Sequence, residues 1–142
     1  MAALIKQSLG ATRVCIFDHT VRESGKTNLN AQDGGSAAPV PRVHCDYTAD
    51  GAPRRLAQLA KAGALSDGQP MSDDAVAALT SRRFAFINVW RSIADDGPVR
   101  ANPLAVCDEH SVSAAERFIY ELRFADRTGE NYSLRFSERH KW

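Results

Sequence analysis

The segment Arg42-Val43-His44-Cys45-Asp46-Tyr47-Thr48 sets an imidazole and a carboxylate two positions apart. On an extended strand, side chains at i and i+2 share a face, so His44 and Asp46 converge while Cys45 turns away. A histidine and an aspartate meeting at one point supply two donors of the 2-His-1-carboxylate triad. That triad holds non-heme Fe(II) and leaves positions open for substrate and O2. The same pair also fits a structural role, an exposed His with Asp46 opening a turn before the next helix. Iron needs a third, distant ligand as well.

Asn88 interrupts the apolar run Phe84-Ala85-Phe86-Ile87-Asn88-Val89-Trp90-Arg91. A buried amide must find hydrogen-bond partners. Asn88 and Trp90 share a face by alternation, and in a functional reading they line a pocket and orient a ligand carboxylate or substrate. Structurally, Asn88 ties down a neighbouring loop and Trp90 is core. Arg91 suits a bidentate clamp on a carboxylate, or a strand-end surface position. Asp18-His19-Thr20 reads as a turn, His110 as loop, and His140 lies in a basic tail. Cys15, Cys45 and Cys107 are an odd count at unrelated spacings, which suits neither a disulfide framework nor a CxxC zinc site. Cys15 and Cys107 read as small buried residues. No P-loop, GxGxxG or GxSxG is present.

These residues sit in a chain of 142 residues, 44% hydrophobic and 25% charged, with a formal net charge of +1. Those are values of one globular domain, spanning 1–142, with no basic footprint for nucleic acid or an anionic membrane. No apolar run is long enough for a transmembrane helix, and Met1 to Gly10 lacks the features of a secretory signal. A cytoplasmic setting is expected.

The elements that must position the chemistry follow from pattern. Ala2 to Leu9 is a predicted helix ending at Gly10. Thr12 to Phe17 reads as a strand. Gly25 to Pro41, about 23–41 at its widest, is a predicted flexible surface loop leading into the His44 strand. Gly51 to Gly63 is a predicted helix whose Leu56, Leu59 and Ala60 form one face. Ser72 is an N-cap for a helix through Leu79. Phe84 to Trp90 reads as a buried strand and Leu104 to Cys107 as a short one. Ser113 to Glu116 fits a capping box. Phe118, Tyr120, Leu122 and Phe124, then Tyr132, Leu134 and Phe136, predict a β-hairpin with one apolar face, joined by a turn over Asp126–Glu130. Many strands and few short helices predict a mainly β, α+β chain of barrel or jelly-roll type.

A series of motifs, in order along the chain, resembles one family. Val14 to Arg22 is similar to the "VFDHTVR" segment of the CmcJ/NvfI family, also called the AsaB hydroxylase/desaturase family. Val43 to Thr48 matches its "VHNDYT", and Arg83 to Arg91 its "RFAIINVWR". Gly97-Pro98-Val99 with Pro103 to Asp108 matches "GPV…PLALCD". Asp126 to Glu130 and His140-Lys141-Trp142 match "DRTGE" and "HRW".

The resemblance implies a double-stranded β-helix (jelly-roll, cupin-like) oxygenase. It would use Fe(II) and the co-substrate 2-oxoglutarate with O2 to hydroxylate or desaturate a small organic, secondary-metabolite-like molecule. The family's first two iron ligands carry over onto His44 and Asp46, and Asn88, Trp90 and Arg91 become the cofactor-pocket candidates. The family's third ligand lies in a "TPH"-like segment beyond "HRW", so His140 is not promoted to that role. The chain is therefore expected to be the middle part of the family domain, an incomplete jelly roll, with self-association through uncovered sheet edges. The alternative is a truncated non-catalytic remnant or binding module of the same family.

Overall fold

The computed structural model describes residues 1–29, 35–94, 97–124 and 127–142. The chain forms two compact units, one of 1–19 with 52–85 and the other of 20–51 with 86–142.

In the first unit, α1 (Ala2–Leu9) stops at Gly10, whose φ of 63° is the left-handed conformation that glycine adopts without a Cβ penalty. Helix α2 (Gly51–Lys61) buries Leu56, Leu59 and Ala60, the stripe expected from their spacing. Helix α3 (Asp73–Thr80) begins at Ser72, whose Oγ accepts from the Ala75 N–H at 3.3 Å. Asp73 and Asp74 place negative charge in its first turn, where the helix dipole favours it. Val76 joins the small apolar core. Thr12–Phe17, expected as a strand, is irregular and joins no β-ladder among the described residues.

The second unit holds an open antiparallel sheet in the order β1-β3-β2. Strand β1 is only His44–Cys45, β2 is Arg117–Arg123 and β3 is Thr128–Leu134. The predicted hairpin is present, closed by a bond from the Phe124 N–H to the Arg127 carbonyl at 2.8 Å. Asp126, in the expected turn, lies outside the described residues. The single apolar face is corrected by the register. Phe118 is opposite Ser133 and Tyr120 opposite Asn131, whereas Tyr132 faces Ile119 and Leu134 faces Arg117. Opposite residues share a face, so the two apolar sets lie on opposite sides of the sheet.

Two further strands expected here are absent. Phe84–Trp90 is mostly exposed and joins no β-ladder among the described residues, and Leu104–Cys107 is likewise outside the sheet. Cys15 and Cys107 are half-buried rather than core. Of the loop expected at 23–41, residues 30–34 lie outside the described residues. Its flanks are bonded, with Ala37 bridging Arg22 and the Arg22 guanidinium donating to the Leu29 and Ala38 carbonyls at 2.7 and 2.8 Å. Among the described residues the architecture is thus three α-helices, two short 3-10 turns and a small three-stranded sheet, with every strand in the second unit. Among the described residues, no helix is long and apolar enough to cross a membrane.

Candidate metal centre

Strand β1 is too short to hold itself, and β3 fixes it with side chains. The Ser133 hydroxyl, 2% exposed, donates to the Val43 carbonyl at 3.2 Å. The Asn131 amide, oriented by its acceptors, donates to the Asp46 carbonyl at 2.8 Å and the Glu130 carbonyl at 3.2 Å. The Thr48 hydroxyl donates to Glu130 Oε2 at 3.0 Å and accepts from the Gly51 N–H at 2.8 Å, so it also caps the start of α2. A Cβ on Gly51 would stand 2.8 Å from Thr48 Oγ1, so a larger residue there would push that hydroxyl out of place. Residues 43–48 are therefore anchored at three points, by polar groups that are themselves satisfied. The ring of Tyr47 packs against Phe86, centroids 4.4 Å apart, which brings the segment after Phe86 alongside.

Within this frame His44 and Asp46 do converge. His44 Nε2 is 3.3 Å from Asp46 Oδ1. The two side chains meet even though Asp46 has left the ladder at a bend. His44 Nδ1 lies 2.8 Å from the Arg42 carbonyl. A carbonyl only accepts, so Nδ1 carries a proton and Nε2 is the nitrogen left to bind a metal or a second proton. Asn88 Nδ2 donates to Asp46 Oδ2 at 2.7 Å, occupying that oxygen and leaving Oδ1 turned to the imidazole.

With Nδ1 protonated, a neutral His44 would set a lone pair against a carboxylate oxygen. The contact is favourable only with a cation between the two atoms. A proton serves: the bond to Asp46 raises the His44 pKa above its ordinary value, against the opposing effect of burial. The same bond, with help from Asn88, lowers the Asp46 pKa. A divalent metal serves equally. Two donors bound at about 2.1 Å and at a right angle stand about 3.0 Å apart, close to the observed separation. The Arg42 carbonyl and the Asn88 amide are the outer partners that such ligands need. His44 and Asp46 thus fit two adjacent positions of a metal. Among the described residues, no group of three His, Cys, Asp or Glu completes the set.

The other expected site residues divide. Asn88 is at the centre, its amide bonded to Asp46 at the bend that follows β1. Trp90 is 48% exposed, and Arg91 donates to the neighbouring Ser92 carbonyl at 3.1 Å; neither bonds to the His44–Asp46 pair. Cys45 is exposed, and by register it faces the side opposite His44. His140 packs against Glu116 Oε2 at 3.3 Å, a structural partner that accounts for it without a metal. Asn131 and Ser133 are the residues that sequence reasoning missed. Their signal was present: polar side chains at i and i+2 in Glu130-Asn131-Tyr132-Ser133-Leu134.

The whole chain, residues 1–142, matches the family described as oxidoreductase/YMDC permease-like domain. It is similar to hydroxylase/desaturase efuI of Hormonema carpetanum, with 27% identity covering 98% of this chain and 49% of that protein. It is also similar to hydroxylase/desaturase CTB9 of Cercospora beticola, with 28% identity covering 100% of this chain and 45% of that protein. A third relative is the alpha-ketoglutarate-dependent dioxygenase tstK of Talaromyces stipitatus, with 24% identity covering 100% and 47%. The chain spans about half the length of the curated relatives it matches. No solved structure matches it. The hydroxylase/desaturase resemblance carried by the motifs is shared with proteins that bear that name.

Proposed function

We propose a role in iron-dependent C–H oxidation for this chain, which belongs to the oxidoreductase/YMDC permease-like domain family. In this reading it carries two ligands of a non-heme Fe(II)/2-oxoglutarate-dependent hydroxylase or desaturase acting on a small organic substrate, within a jelly-roll domain. The observation behind it is His44 Nε2 at 3.3 Å from Asp46 Oδ1, with Nδ1 turned to the Arg42 carbonyl at 2.8 Å.

His44 Nε2 and Asp46 Oδ1 would hold the iron, which when bound supplies O2 activation with 2-oxoglutarate as co-substrate. The Arg42 carbonyl keeps the His44 tautomer that leaves Nε2 available. Asn88 holds Asp46 Oδ2, so that one carboxylate oxygen, not both, is presented. Asn131 and Ser133 hold the backbone on either side of the pair. Trp90 and Arg91, next along the Asn88 segment, are the side chains proposed to meet co-substrate or substrate. The three cysteines are free thiols, which suits a reducing, cytoplasmic setting.

A second reading, a non-catalytic binding module, is favoured by the His44–Asp46 contact, which a shared proton satisfies without a metal. Anaerobic Fe(II) and 2-oxoglutarate, followed by O2, separate the two. A visible charge-transfer band with O2-dependent succinate release supports the oxygenase. Iron binding with neither band nor succinate supports the binding module.

A further inference from the structure

Strand β2 ends the sheet. Among the described residues, nothing pairs with its outer edge. The direction of its free backbone groups follows from the bonds at its two ends. The Phe124 N–H donates to the Arg127 carbonyl, and the Arg135 N–H to the Glu116 carbonyl, both at 2.8 Å. In an antiparallel ladder, bonded and non-bonded pairs alternate. Phe118, Tyr120 and Leu122 therefore bond to β3, while Arg117, Ile119, Glu121 and Arg123 point their N–H and carbonyl groups outward.

We propose that this edge binds a second copy of the chain, β2 against β2, antiparallel about a two-fold axis through Ile119. In that register, Arg117 of one copy lies opposite Glu121 of the other, Phe118 opposite Tyr120, and Ile119 opposite its own mate. Each outward residue then meets an outward residue, so every pair that must exchange backbone bonds can do so. Opposite charges face each other at both ends of the five-residue match, and an apolar centre closes between them. Ile119 is 56% and Phe118 43% exposed in the single chain, so both have surface to bury.

Charge disfavours the registers shifted toward the end of β2, while a shift the other way, to an axis through Phe118, leaves both charges without an opposite partner. A two-fold axis through Tyr120 sets Arg117 against Arg123 and Ile119 against Glu121. An axis through Glu121 sets two glutamates against each other. A contact made by one patch with itself closes as a dimer and leaves no further edge on β2. Single-sign charge blunts a sheet edge, whereas the order Arg117, Ile119, Glu121 complements its own reverse. The contact stands apart from the metal centre, since β2 contributes no ligand to it.

Analytical ultracentrifugation of the full chain over a range of concentrations is expected to show a reversible monomer–dimer equilibrium. Glu121→Arg, which faces Arg117 across the axis, should lower dimer affinity by roughly tenfold. Adding Arg117→Glu should restore it, which also shows that both variants fold. Ile119→Pro removes an outward N–H without touching the β3 ladder and should abolish the dimer. A monomer at every concentration would overturn the proposal, as would a dimer indifferent to Glu121→Arg or one not restored by the charge swap.

Discussion

Asn88 and Asp46 meet across 42 residues of chain through a 2.7 Å hydrogen bond from the amide Nδ2 to Oδ2. That bond decides which carboxylate oxygen faces His44. Outer partners of metal ligands typically contribute about 10- to 100-fold to affinity. Asn88→Ala should therefore weaken Fe(II) binding by roughly tenfold or more while leaving the far-UV circular dichroism unchanged. Unchanged affinity in a folded variant would remove Asn88 from the site.

The pH dependence of metal loading follows from the same pair. The His44 pKa is raised above 6.5 by its bond to Asp46. Below that raised value, a proton occupies the space between Nε2 and Oδ1, and a metal must displace it. Apparent Fe(II) affinity should fall as pH drops through the raised His44 pKa, with proton release on binding. For the metal-free chain the sign differs between partners. The His44 contribution to stability is present below 6.5 and lost as pH rises through its raised pKa. The Asp46 contribution is present above 3.8 and lost as pH falls through its lowered pKa. Isothermal titration in buffers of different ionisation enthalpy measures the proton release directly.

Thr48 tests the frame under the site. It is 2% exposed and satisfies both Gly51 N–H and Glu130 Oε2. Thr48→Val keeps the shape and leaves that N–H without an acceptor, a loss of about 1–2 kcal/mol. Thr48→Ser should recover most of it. Urea denaturation midpoints with unchanged m-values would show this; equal midpoints for the Val variant would contradict it.

The carboxylate of Glu116 ties down the end of the chain. It accepts from the Ser113 N–H at 2.7 Å and from Arg139 Nη2 at 2.7 Å, and His140 lies at 3.3 Å. The Ser113 N–H first, and then Arg139, hold its pKa far below the usual glutamate range. The stabilisation is present above 4.5, the ordinary value, and is lost only as pH falls well beneath it. Residues 137–142 should accordingly keep their protection from carboxypeptidase in mild acid. Glu116→Gln should expose them at neutral pH, and equal digestion rates would refute the tether.

Local signals were legible in this sequence and non-local ones were not. Ser72 as a cap, Gly10 as a stop and the Leu56–Leu59–Ala60 stripe depend on neighbours within a turn or two, and they stand where expected. Strand pattern says that a segment is able to pair, not that a partner exists. Thr12–Phe17, Phe84–Trp90 and Leu104–Cys107 carry the pattern and lie outside the sheet. The hairpin was legible from its two alternating runs, but their common face was not, because register sets faces and a one-residue offset inverts them. At the site, alternation brought His44 to Asp46 correctly. The polar interruption at Asn88 marked a real partner, whereas Trp90 and Arg91 had only adjacency in their favour. Asn131 and Ser133 went unread because polar residues on a hairpin resemble a solvated face until a third strand covers them.

The most direct test is anaerobic Fe(II) titration of the purified chain beside His44→Ala and Asp46→Ala. The account predicts saturable binding in the parent chain, and its loss in both variants with the sheet's circular dichroism intact. Fe(II) affinity unchanged in both variants would contradict the assignment of His44 and Asp46 as a metal-binding pair.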